Sequence, residues 1–352
     1  MGIYVLSTVT IGIDLIDIIK RRIKIDGVIG LSERSPGDSI SGYIYKEKYC
    51  KENNINFFPV NSYSLLDKYD REKISKLDID ILIVAGWGRL IPDWLIKKCK
   101  LFPIGIHGSA YGMIAGRGRS PENWALILGE KKFSISIFKI DSGIDSGGIF
   151  DTRDFDITEL DDIASVRYNM ISNVGQMLIS LLSNDQLTGV IKFENMQIQR
   201  QIGVPYYLPK RAPEDGEIDW RRTSKEIYNF IRALAKPYPG AYSVLDNDVK
   251  LVIWDAIPIE NSSHLDGYKY GEILTTPVQG GPFLVRTENS GLMITHYEIN
   301  LGVEGGVIKK GCILKSVDFY EQCKSIFERH YQQYPNDTVQ PKLIDYAEHH
   351  RN

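Results

Sequence analysis

One histidine stands among the first 263 residues, His107, and it closes an apolar run, FPIGIH, at 102–107. A second apolar run at 133–140 leads into a carboxylate-bearing turn, Asp141-Ser142-Gly143-Ile144-Asp145-Ser146-Gly147-Gly148. A histidine with a carboxylate partner is an acid or base that can work near neutral pH. Asp145 could orient the imidazole and stabilise its charged form. Between the two lies Gly116-Arg117-Gly118-Arg119, which can bring backbone N–H groups and two cations to a polar ligand. No GxSxG elbow marks a nucleophile, so direct group transfer is favoured over a covalent intermediate. A lone histidine near an apolar strand is usually structural. Here the strand-end position, the acidic turn and the cationic loop shift the balance towards chemistry.

The elements that must position these groups follow from periodicity. Apolar-rich runs at 3–7, 25–32, 79–87, 102–107 and 133–140 read as strands, the one at 79–87 continuous in its apolar residues as parallel central strands are. Apolar residues at helical spacing over 11–22 and a helix at 121–129, with Ser120 as N-cap and Pro121 in its first turn, alternate with them. A long helix is expected over 158–182, capped by Thr158. Strand alternating with helix predicts a doubly wound, Rossmann-like α/β domain, whose ligands bind beyond the C-terminal ends of the strands. The loop after the first strand is not GxGxxG. Ser7 and Thr8 there are either an anion site at a helix N-terminus or an ordinary helix start. Gly86-Trp87-Gly88-Arg89-Leu90-Ile91-Pro92 is either a backbone surface for a flat ligand or a tight turn around a packed Trp. Residues 200–216 carry Pro and Gly without periodicity and read as a linker. Thr223 and Glu226 form a capping box for a helix over 224–235. Short strands at 242–246, 249–255, 270–275, 283–287 and 291–298 predict a small β-barrel or sheet. A helix over 311–331 and a poorly ordered polar tail complete the reading.

The chain of 352 residues, 43% hydrophobic and 25% charged, is long enough for two cored domains. Its net charge of −3 gives no basic field for nucleic acid or an anionic membrane. Cys50, Cys99, Cys312 and Cys323 form no CxxC pair, so neither a zinc site nor a disulfide framework is indicated. They read as reduced thiols in a cytoplasmic protein. No apolar run reaches membrane-spanning length, and the N-terminus lacks the basic leader of a signal peptide.

His107-Gly108-Ser109, the Arg117-Gly118 pair, Pro121, Trp124-Ala125 and Gly143-Ile144-Asp145-Ser146-Gly147 together resemble the N10-formyltetrahydrofolate-dependent formyltransferases, a family that includes methionyl-tRNA formyltransferase and the sugar N-formyltransferases. The segment EDGEIDWRRTSKEIYNFIRALAKPYPGAY at 214–242 resembles the family's passage into its C-terminal domain, and 270–294 its following barrel strands. The likeness covers roughly 1–300. It implies a catalytic domain over 1–200, a linker over 201–216, an OB-like β-barrel over 217–300 and an extension of unknown role over 301–352. It also implies attack of an amine on the formyl carbon of the folate, with no metal. His107 maps to the general base and Asp145 to its partner. The family's Asn, two residues before the His, falls on Gly105, so another donor must serve the oxyanion: Asn123 or a backbone N–H near 116–119. By the same resemblance Gly86, Trp87, Gly88, Arg89, Leu90 and Ile91 line a pterin slot with Asp141, Gly143 and Ile144, and Arg119 is placed with them.

The acceptor is expected to be a nucleotide-linked amino sugar, a dTDP- or UDP-4-amino-4,6-dideoxyhexose bound for a surface polysaccharide. Transfer RNA would need a basic footprint, whereas residues 261–352 hold 9 Lys/Arg against 11 Asp/Glu, a net of 9 − 11 = −2. Ser7, Thr8, Arg34 and Arg117 are the candidate substrate contacts. Methionyl-tRNA formylation, or a folate-binding protein that lost catalysis with the Asn, are the alternatives. A homodimer is plausible from exposed strands in the second domain.

Overall fold

The computed structural model describes residues 1–33, 40, 42–183, 200–245, 249–259, 265–278, 280–299 and 308–351. Arg34, and with it most of the polar loop after the second strand, lies outside the described residues. Two compact units divide the chain. The first comprises Met1–Arg117, Phe133–Phe155 and Arg167–Pro205; the second comprises Gly118–Lys132, Asp156–Val166 and Tyr206–Asn352.

In chain order the first 183 residues form β1 (Ile3–Leu6), α1 (Thr10–Ile19), β2 (Gly27–Leu31), α2 (Glu47–Glu52), β3 (Asn56–Val60), α3 (Lys68–Ser75), β4 (Ile81–Val84), α4 (Asp93–Lys98), β5 (Phe102–Ser109), α5 (Gly112–Ala115), β6 (Arg117–Gly118), α6 (Pro121–Ile127), β7 (Lys132–Lys139), β8 (Ile149–Asp156) and α7 (Ile163–Ser183). One sheet takes the order β3-β2-β1-β4-β5-β7-β8. β1, β2 and β4 are buried at every residue, as strands covered on both faces must be. The pairings β2–β3, β1–β2, β1–β4 and β4–β5 are parallel. The order reverses between β1 and β4, which is where doubly wound sheets bind ligands.

One edge of the sheet departs from the parallel arrangement, because β7 runs antiparallel to β5. This changes where His107 sits. β4 pairs with β5 only through Ile104, whereas β7 pairs with it from Ile104 to Ser109. His107 therefore lies inside a longer strand, opposite Ser136, in a stretch whose other side is no longer paired to β4. Two expected caps are also corrected. Ser120 sits at φ 54° with no capping bond, its hydroxyl instead accepting the Arg211 N–H at 3.2 Å. The start of α7 is capped by Asp162, whose carboxylate accepts from Ala164 and Ser165 N–H at 2.8 and 2.9 Å, rather than by Thr158.

The second unit adds β9 (Tyr207–Leu208), α8 (Ser224–Leu234), β10 (Ala241–Val244), β11 (Lys250–Ile259), β12 (Phe283–Arg286), β13 (Gly291–Ile299), α9 (Phe319–Gln333) and α10 (Pro341–His349). Its sheet is antiparallel in the order β10-β11-β13-β12. The capping box of α8 forms as its sequence dictates: Thr223 N–H donates to Glu226 at 3.0 Å, and Glu226 N–H to the Thr223 hydroxyl at 3.3 Å. Residues 270–275, expected as a strand, make only isolated bridges, Glu272 to Ile313 and Ile273 to Val285. The C-terminal segment differs from expectation. The helix starts at Phe319, capped by Asp318, because 312–314 is engaged in bridging to 271–273. The tail forms α10 instead of fraying. Phe319 is buried against Phe230, with the Arg222 guanidinium 3.9 Å from its ring centroid. His350 bonds Glu226 at 2.7 Å.

Candidate functional site

β5 and the turn between β7 and β8 bring His107 and Asp145 together. His107 is buried, and its Nδ1 lies 3.4 Å from Asp145 Oδ2. Its Nε2 lies 2.7 Å from the Gly116 carbonyl oxygen. A carbonyl oxygen only accepts, so Nε2 carries a hydrogen and Nδ1 is the nitrogen facing the carboxylate. The ring is thus held between a loop carbonyl and a charged turn.

The turn is built to present that carboxylate. Asp141 Oδ1 accepts from Gly143 N–H at 3.0 Å and from the Ser146 hydroxyl at 2.6 Å. Lys139 N–H donates to the Gly148 carbonyl at 2.8 Å, closing the turn at its base. Gly147 has to be glycine, since a Cβ there would lie 1.6 Å from the Lys139 oxygen. Asp145 itself adopts φ 47°, a left-handed conformation that side chains avoid and that clusters at functional positions. Gln201 also reaches this turn: its Nε2 donates to the Asp145 and Gly147 carbonyls at 2.8 and 2.9 Å.

Gly105 has a packing reason. It pairs with Phe138 across β5 and β7, and a Cβ at 105 would lie 2.4 Å from the Phe138 ring. The ring fills the space a side chain at 105 would take. Asn123, the expected substitute donor, belongs to the second unit, where its amide nitrogen donates to the Ala233 carbonyl at 2.7 Å. His107 and Asp145 belong to the first.

The 86–92 loop follows β4 at the reversal of strand order. Trp87 and Ile91 are buried in the core beside Tyr63, whose ring centroid is 4.9 Å from that of Trp87. Gly88 N–H donates to the Tyr63 hydroxyl at 2.7 Å, and the Arg89 guanidinium lies 5.5 Å over the Tyr63 ring. Gly86, Arg89 and Leu90 are the exposed residues of this stretch. So Trp87 supports the loop from beneath, and its neighbours supply the outward face. The buried indole N–H finds no acceptor among the described residues. Asp141 and Gly143 are exposed, and Ile144 is half-buried.

Ser7 and Thr8 are fully buried and donate to the carbonyls of Val9 and Gly86 at 3.2 and 2.9 Å. Thr8 thereby ties the loop after β1 to the loop after β4, while Ser7 bonds within its own loop. Arg117 is half-buried and donates to Gln201 Oε1 at 2.8 Å. Arg119 is exposed in the second unit, its backbone N–H donating to the Leu208 carbonyl at 2.9 Å. Tyr63 and Gln201 were not singled out from sequence. Both lie far along the chain from the motifs they hold, and neither sits in a motif of its own.

Comparison with known proteins gives a consistent picture. Residues 38–182 match the formyl transferase family model, and 210–302 match the formyl transferase C-terminal domain. The bifunctional polymyxin resistance protein ArnA of Wigglesworthia glossinidia brevipalpis is 32% identical over 239 residues, covering 67% of this chain and 35% of that protein. A methionyl-tRNA formyltransferase of a Sulfurihydrogenibium species is 31% identical, covering 62% of this chain and 68% of that one. The chain spans about a third of ArnA's length, and 59% and 65% of two further methionyl-tRNA formyltransferases. Among solved structures, an N-formyltransferase from Helicobacter canadensis, in complex with folinic acid and dTDP-3-aminofucose, superposes with a TM-score of 0.57 at 17% identity, covering 85% of this chain and all of that one. At that identity the likeness is one of fold. The segment holding α9 and α10 lies beyond both matched regions.

Proposed function

The chain belongs to the formyl transferase family, and on that premise we propose that it transfers the formyl group of N10-formyltetrahydrofolate to the amino group of a nucleotide-linked amino sugar. The observation that carries this reading is the His107–Asp145 pair, held between β5 and the β7–β8 turn of a doubly wound sheet. The amine nitrogen attacks the formyl carbon, and the carbonyl π electrons move to oxygen. Collapse of the tetrahedral adduct breaks the carbon–N10 bond. N10 takes a proton, leaving tetrahydrofolate and a formamide. His107 receives the amine proton, and Asp145 stabilises the imidazolium. With Asp145 facing Nδ1, Nε2 is the nitrogen that meets the amine: on binding, the ring hydrogen sits on Nδ1 towards Asp145, and Nε2 gives up its bond to the Gly116 carbonyl and presents its lone pair. Residues 86–91, with Asp141, Gly143 and Ile144, would hold the pterin.

The charge of the chain supports a small anionic acceptor over a polynucleotide, because a net −3 supplies no counter-charge for a phosphate backbone. The relatives that formylate methionyl-tRNA support that acceptor as the alternative. Gly105 supports a second reading, a folate binder without turnover. The test mixes purified protein with N10-formyltetrahydrofolate and a panel of dTDP- and UDP-linked amino sugars, with methionyl-tRNA as a further acceptor. Product mass and tetrahydrofolate release are followed. Formylation of one sugar is the expected result. Formylation of methionyl-tRNA alone would replace the acceptor, and folate binding without any transfer would favour the second reading.

A further inference from the structure

We propose that Gln201 is a positioning residue that sets the approach of Asp145 to His107. The proposal rests on the formyl-transfer reading of the His–Asp pair. Gln201 uses its whole amide on two loops of the site. Nε2 donates to the carbonyls of Asp145 and Gly147, at 2.8 and 2.9 Å, on either side of Ser146. Oε1 accepts from the Arg117 guanidinium at 2.8 Å. Arg117 directly follows Gly116, whose carbonyl takes His107 Nε2 at 2.7 Å. The contacts therefore close a ring: His107 to Gly116, along the chain to Arg117, across to Gln201, to the Asp145 turn, and back to His107 through the carboxylate.

The ring matters because its last link is not tight. The 3.4 Å between Nδ1 and Oδ2 exceeds the roughly 2.7–3.2 Å of an N–H···O bond. Asp145 also holds a left-handed backbone, so its direction depends on what pins the turn. A small rotation of the turn separates a carboxylate that bonds the ring from one that only faces it. Gln201 grips the carbonyl of Asp145 itself and the one two residues on, and so resists that rotation. An amide suits the task because it donates to two carbonyls while accepting from a cation, which a carboxylate cannot do.

The experiment compares the full chain with its Gln201→Ala and Gln201→Glu variants. Glu keeps the size of the side chain and its contact with Arg117 but removes both donors to the turn. In the transfer assay kcat should fall about 10- to 100-fold in both variants, the scale of a misplacement of about 1 Å, with KM for the formyl-folate unchanged. A wild-type kcat in Gln201→Ala overturns the proposal. So does full activity in Gln201→Glu, which would mean the side chain only fills space. The imidazole 15N signals of His107, assigned by their loss in His107→Asn, give a readout independent of turnover. They should shift in both variants, and unchanged signals overturn the proposal. A wild-type protein that formylates no acceptor removes the functional reading instead, and the 15N comparison still decides the role of Gln201.

Discussion

On the proposed mechanism, His107→Asn removes the nitrogen that takes the amine proton, and Asp145→Asn removes the charge beside the imidazolium. General-base catalysis contributes roughly 10²–10⁴ in rate, so each variant should lose turnover by about that factor. Circular dichroism and unfolding midpoints should stay near wild type, because Asp145 lies in a turn and Asn is a modest change in a strand flanked by β7. Near-normal turnover in either would remove the mechanism. Gly105 calls for the opposite kind of change. Gly105→Asn restores the residue the family carries there, but its Cβ meets the Phe138 ring at 2.4 Å. Overpacking of this sort costs about 1–3 kcal/mol, which urea unfolding should register. Adding Phe138→Ala opens the space and should recover part of the loss. If Gly105→Asn is as stable as wild type, the packing account of this glycine is wrong.

At the scale of elements, α8 carries a pH-sensitive junction. Burial works against the charge of Glu226, but the hydrogen bond from His350, the nearby Arg222 guanidinium and the Thr223 hydroxyl outweigh it, and its carboxyl is held down to about 2. A carboxylate depressed in the folded state stabilises the protein above its unfolded pKa, here about 4.5. That contribution fades as pH falls from about 4.5 towards 2. Thermal unfolding of Glu226→Gln should therefore start from a lower midpoint at neutral pH and fall less steeply across this acid range. A parallel pair of curves for variant and wild type would show that the charge of Glu226 is not held down in the folded protein.

For the whole molecule, the question is whether residues beyond the family-matched regions are an appendage or part of the second unit's core. Phe319 answers for the core: it is 1% exposed, packs edge-on against Phe230 and Tyr346, and underlies the Arg222 guanidinium. Its backbone N–H donates to Asp219 at 3.0 Å, before α8 begins. Phe319→Ala should cost about 3–5 kcal/mol, as for other fully buried aromatic side chains. A loss below about 1 kcal/mol in denaturant titration would mean that α9 is held only loosely.

The sequence alone determined the features that depend on near neighbours. Continuous apolar runs specified the central strands, since a strand covered on both faces needs no polar side. A Thr and a Glu three residues apart specified the start of α8. The types and order of His107 and Asp145 pointed to the candidate pair. Features with distant partners were decided only by the tertiary structure. β8 reads IFDTRDFD, with no apolar run to announce it, and becomes a strand by pairing at the sheet edge. β7 reads KFSISIFK, an alternation compatible with an antiparallel strand, but its place against β5 was decided only by the fold. α10 is short and polar, and is held in place by contacts such as that of Tyr346 with Ile127, 219 residues away. Gln201 lies 56 residues from the carbonyl of Asp145 that it holds. No local propensity encodes such a contact; it exists only once the fold has brought the two segments together.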